Sequence, residues 1–121
     1  MDHVLNMLEP STVTINGTTF PLLFNMRAAA SMERELDTPY PAIIKEIAGV
    51  EDEDGNPGKP MSWNRQAVVI ACMIRAGGVE ITADQLMDCV HMTEAQELAN
   101  AAMDEMLHKQ PKGKEKAEKN G

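Results

Sequence analysis

The chain has 121 residues, enough for one domain around one core, and carries a formal net charge of −8. Residues 1–108 hold 17 acids against 6 Lys/Arg, a balance that repels phosphate backbones and argues against direct nucleic-acid binding. The longest apolar run, Ala67 to Ile74, is far too short to cross a bilayer, and MDHVLNMLEP has neither a basic start nor a long apolar run. The expectation is therefore a cytosolic protein that keeps Cys72 and Cys89 reduced.

Residues 1–11 read as a flexible N-terminus ending at the Pro10 break. Two short strands follow, about Thr12 to Ile15 and Thr18 to Phe24. Asn16-Gly17 between them supplies the positive φ angles of a two-residue hairpin turn. Pro21 falls inside the second strand. It has no N–H to give, so its nitrogen should face away from the partner strand. A lone hairpin is marginal in water, so this one must pack on the helices or pair with another chain.

The spacing predicts a first helix over Met26 to Leu36, capped by Asn25, with Met26, Ala29, Met32 and Leu36 on its apolar face. Asp37-Thr38-Pro39 ends it. A short second helix spans Pro41 to Ala48, with Ile43, Ile44 and Ile47 as its buried stripe and Gly49 as its stop. Residues 50–60, VEDEDGNPGKP, can only be a loop. Ser62 caps a third helix reaching Ala76 before Gly77-Gly78. Its stretch from Ala67 to Ile74 has no polar side, which suits the centre of a bundle. Periodicity alone would equally allow a buried strand there, and the serine start, the double-glycine stop and the length favour helix. Thr82-x-x-Gln85 and Thr93-x-x-Gln96 both read as capping boxes, opening a helix to Val90 and a longer one. The stripe of that last helix is Ala95, Leu98, Ala99, Ala102 and Met106, with Glu97, Asn100 and Asp104 opposite.

Pro111 ends any helix, and residues 109–121, with 5 Lys against 2 Glu, form a disordered Lys-rich tail. The fold class is mainly α: a short N-terminal β-hairpin followed by a compact bundle of four to five helices, one domain over residues 12–108.

Chemistry-bearing patterns fall short of a site. An EF-hand loop started at Asp52 puts Pro57 where glycine is needed and Trp63 where a bidentate Glu is needed. Cys89, His91 and His108 lack the paired short spacings of a zinc site. No G-x-S-x-G is present, Cys72 looks buried and inert, and Gly77-Gly78 follows a helix where a phosphate loop would open one. Glu33 and Glu35, two apart on a helix, point in different directions. The reading is no enzyme, no cofactor, no metal, no nucleic acid and no membrane.

What remains is a binding protein. Its 10 Met against Trp63, Tyr40, Phe20 and Phe24 as the only aromatics suit a helical core, and also a surface that adapts to partners. Met103, Met106 and Leu107 on the last helix are the partner-binding candidates, with the hairpin edge beside them, because Met103 and Leu107 lie off the buried stripe.

The run VTINGTTFPLLFNMRAAASMEREL, Val13 to Leu36, resembles the N-terminal signature of tail assembly chaperones of long-tailed bacteriophages. In that family an Asn-Gly or Asp-Gly dipeptide joins two short strands, and a segment of the kind Phe24-Asn25-Met26-Arg27-Ala28 opens the first helix. The likeness extends from Val13 to about Leu107, by length, helix order and acidity beyond the first helix. It departs from the family at Asp37-Thr38-Pro39, where a glycine is usual, and in a longer, more acidic loop at 50–60. The resemblance implies a chaperone that binds the tape measure protein, keeps that long helical client soluble, and helps recruit tail tube subunits. It implies work in the host cytoplasm and absence from the mature virion, and in many members a longer product made by ribosomal frameshifting near the C-terminus. A homo-oligomer is compatible with it. The rival reading is a small acidic regulator that fills a basic groove of a host protein as a DNA mimic.

Overall fold

Asn16 and Gly17 adopt φ angles of 51° and 82°, the left-handed pair that a tight hairpin turn demands. They join β1 (Ser11–Ile15) to β2 (Thr18–Leu22), which pair antiparallel with Ile15 opposite Thr18 and Ser11 opposite Leu22. Hydrogen-bonded and non-hydrogen-bonded pairs alternate outward from the turn. Pro21, opposite Thr12, takes a non-hydrogen-bonded place, and its nitrogen points away from β1. The second strand stops at Leu22, two residues before the expected Phe24. The cause is tertiary: the Leu23 N–H donates to the Met73 carbonyl (3.1 Å) and leaves the ladder, and Phe24 stacks on Tyr40 with ring centroids 5.8 Å apart.

The computed structural model describes residues 9–49 and 61–107. The expected loop at 50–60, the tail at 109–121, His108 and most of the N-terminal segment lie outside them. Among the described residues the chain is mainly helical, with the hairpin followed by α1 (Met26–Leu36), α2 (Tyr40–Ala48), α3 (Trp63–Ala76), α4 (Ala83–Cys89) and α5 (Met92–Leu107). None of these helices is long and apolar enough to cross a membrane.

Local chemistry sets most helix ends. The Asn25 side chain accepts from the Ala28 N–H (3.0 Å) and Ser62 Oγ from the Arg65 N–H (3.2 Å). Thr82 and Gln85 close a reciprocal capping box at 3.0 and 2.9 Å. Such caps satisfy donors that the first helical turn leaves open. Asp37 and Gly49 end α1 and α2 in the left-handed conformation. Two starts differ from expectation. Helix α2 begins at Tyr40, one residue before Pro41, because Pro39 serves as its N-cap and proline is tolerated anywhere in the first turn. The Thr93-x-x-Gln96 box does not form. Helix α5 already begins at Met92, with the Thr93 N–H donating to His91 Nδ1 (3.1 Å) and the Gln96 amide donating to Asn100 Oδ1 (3.1 Å).

Helix α3 is the axis of the molecule, buried at Ala67 and at every position from Val69 to Ile74. The hairpin, α1, α4 and α5 all pack on it. Ile15 and Leu22 of the hairpin sit in the same core as Met32, Ile43, Met73 and Leu86. Each such fully buried side chain contributes about 1.5–3 kcal/mol, which is how a hairpin too small to stand alone is held.

On α1 the buried residues are Ala28, Met32 and Leu36, while Met26 is 86 % exposed. The expected grouping of Met26 with Met32 is thereby corrected. Two successive three-residue steps carry Met26 about 120° round the helix from Met32, and α3 covers only the stripe i, i+4, i+8. On α2 only Ile43 is fully buried, with Ile44 and Ile47 half-buried against the core. The α5 stripe of Ala95, Leu98, Ala99, Ala102 and Met106 is buried throughout. Glu105 is buried as well, and its Oε1 accepts from Ser11 Oγ (2.7 Å), tying the end of α5 to the first strand.

Candidate functional site

Helix α5 packs on α3 with an apolar groove on each side, and Gln66 and Ile70 of α3 line both. The larger groove, about 360 Å³, runs between α5 and the end of α2, a size within the usual range for ligand sites. Its walls are Ile47, Met61, Val69, Met103 and Met106, with Glu46, Gln66 and Gln96 at the rim. The rim is braced. Arg65 grips both carboxylate oxygens of Glu46 (2.7–3.2 Å) and also donates to Thr38 Oγ1 (3.2 Å), and the Gln66 amide donates to the Met61 carbonyl (2.8 Å). Three flexible thioether side chains thus line one groove beside a braced polar edge. Such a lining moulds to apolar surfaces of varied shape.

The smaller cleft, about 80 Å³, opens between α3, α4 and the start of α5, lined by Trp63, Leu86, Met87, Val90, Met92 and Leu98 among others. Three of those side chains stand out of the surface: Trp63 at 42 % exposure, Met87 at 39 % and Met92 at 64 %.

Of the sequence-derived candidates, Met103 and Met106 come together in the larger groove, Met103 half-buried and Met106 buried on the α5 stripe. Leu107 lies away from the groove, half-buried against the core. The hairpin has no third strand among the described residues, and its first strand is fastened to α5 through Ser11. Met61, Trp63, Met87 and Met92 were missed. Their signal was faint: Trp63 and Met92 are apolar residues in the first turn of a helix, off its stripe, where burial is not required.

Cys72 is buried on α3. Burial above all, then the neighbouring Glu35 carboxylate, pushes its thiol from the ordinary value of 9.0 up to about 12, against the opposing pull of Arg75. Arg75 forms an ion pair with Glu35, and donates to the Ile81 carbonyl (2.8 Å) and towards Cys72 Sγ (3.4 Å). A thiol held protonated is a poor nucleophile. Iodoacetamide at pH 8 should label exposed Cys89 and leave Cys72 untouched until the chain unfolds, as peptide mass mapping would show. The raised value also fixes a sign. The folded chain holds a proton that the unfolded chain releases above about pH 9, so this contribution is complete below that pH and is lost as pH rises towards about 12. Urea midpoints should fall across that window, and Cys72→Ala should remove part of the slope.

Among the described residues no group of three or more His, Cys, Asp or Glu side chains is placed to hold a metal ion. Glu33 and Glu35 diverge: Glu33 accepts from the Tyr40 N–H (2.7 Å) while Glu35 turns to Arg75. Comparison with protein-family models, with curated proteins and with solved structures finds no match to this chain.

Proposed function

We propose that this chain is a chaperone of the phage tail assembly type. It covers apolar faces along the tape measure protein, keeps that client soluble in the host cytoplasm, and gives way as tail tube subunits arrive. The observation that carries this reading is the methionine-walled groove at Met61, Met103 and Met106. An open apolar trough with a braced polar rim suits the side of an amphipathic helix. The hairpin and first helix at Val13 to Leu36 supply the family likeness. Many copies along one long client give avidity from weak single contacts, so no copy need bind tightly. The acidity of α4 and α5 is the observation favouring the rival, a DNA-mimicking regulator; the apolar grooves on the same helices favour a chaperone.

The test is co-expression with the tape measure protein. Soluble client should rise severalfold with the native chain and fall back with Met103→Glu, which puts a charge on the groove wall at a half-buried position. Client solubility indifferent to the native chain would overturn the proposal.

A further inference from the structure

Charge is unevenly divided along the described residues. The described residues up to Gly78 hold five carboxylates and five Lys/Arg, whereas residues 79–107 hold seven carboxylates and neither lysine nor arginine. The cleft of Trp63, Met87 and Met92 takes most of its lining from that acidic stretch. Asp84 and Asp88 lie on the same short helix as Met87, both exposed, with Asp84 one turn before it. Three large apolar side chains stay exposed on one cleft, and among the described residues Asp84 and Asp88, on the helix of Met87, have no lysine or arginine paired with them, an unusual surface to maintain.

We propose that this cleft is a second seat, separate from the Met61–Met103–Met106 groove, and that its occupant is a cationic amphipathic helix: one apolar anchor in the cleft, Lys or Arg on either side of it. The inference extends the client-covering reading and rests on it. Charge decides the occupant. A second copy docked face to face by a twofold axis would set one acidic surface against another, and a neutral helix would offer Asp84 and Asp88 no cation, where the described residues supply none either. A basic one meets them, gaining encounter rate and register from the complementary field. The cleft's small volume, about 80 Å³, takes one side chain, so affinity per seat is modest and depends on the flanking charge.

Trp63 is the only tryptophan of the chain and lines this cleft and not the larger groove, so its emission reports on this seat. The full chain is titrated at low salt with a synthetic amphipathic peptide of about 18 residues that carries a Leu stripe flanked by Lys, and with the same peptide carrying Glu for Lys. The Lys peptide should shift Trp63 emission to the blue and bind about tenfold or more tighter than the Glu peptide, an advantage that half-molar salt removes. Met87→Ser/Met92→Ser should weaken both peptides, and Asp84→Asn/Asp88→Asn should narrow the gap between them. All four side chains are exposed, so the fold survives, and circular dichroism checks it. Equal binding of both peptides, an unmoved Trp63 emission, or undiminished binding by the Met double variant would overturn the proposal. So would sedimentation showing a dimer that Met92→Ser dissociates, since a second copy would then own the cleft. Failure here leaves the co-expression result with Met103→Glu untouched, so the two readings fail separately.

Discussion

Met32→Ala is expected to lower the unfolding free energy by about 2–5 kcal/mol, while Met26→Ala on the same helix should change it by no more than about 0.5 kcal/mol. Both substitutions remove the same atoms from the same residue type. Only burial differs: Met32 has no exposed surface, Met26 is 86 % exposed. Truncating Met32 takes its thioether chain out of the layer between α1 and α3 and opens a void beside Ala28 and Leu36. A close-packed interior cannot fill such a void without moving two helices. Urea unfolding with an unchanged slope would measure both values. Equal losses at the two sites would show that α1 is rotated on α3 relative to this structure.

Gly77→Ala should destabilise the fold by roughly 1–3 kcal/mol, although the backbone gives no reason for it. The φ of Gly77 is −82°, which alanine adopts freely, and at a helix end alanine would ordinarily help. The obstacle is the hairpin. A Cβ on Gly77 would lie 2.6 Å from Pro21 Cβ and 2.8 Å from its Cγ, and a proline ring has no rotamer by which to retreat. The second strand would have to lift from α3, stretching the Leu23-to-Met73 hydrogen bond of 3.1 Å. Pro21→Gly should recover part of the loss in the double variant, a coupling that independent sites would not show. A neutral Gly77→Ala would mean that the hairpin rests elsewhere.

Much of this architecture follows from neighbours in sequence. Asn16-Gly17 dictates its own turn, Asn25, Ser62 and Thr82 cap the helices they precede, and the unbroken apolar run from Ala67 to Ile74 could lie nowhere but the centre. These are short-range matters of dihedral angle, hydrogen bonding and solvation, and a linear string carries them. The α5 stripe was readable for the same reason, since its five apolar positions repeat at helical spacing and all five are buried.

The edges of those stripes were decided in three dimensions. Whether Met26 is covered depends on how far α3 reaches across α1, and Met103 becomes a groove wall only because α2 ends opposite it. Thr93 lost its cap because His91 turned the chain one residue sooner. Glu105 entered the interior because Ser11, 94 residues earlier, was brought to it. Periodicity fixes the direction in which a side chain leaves its helix. The crossing of helices settles what, if anything, stands there to meet it, and so which apolar residues remain for a partner.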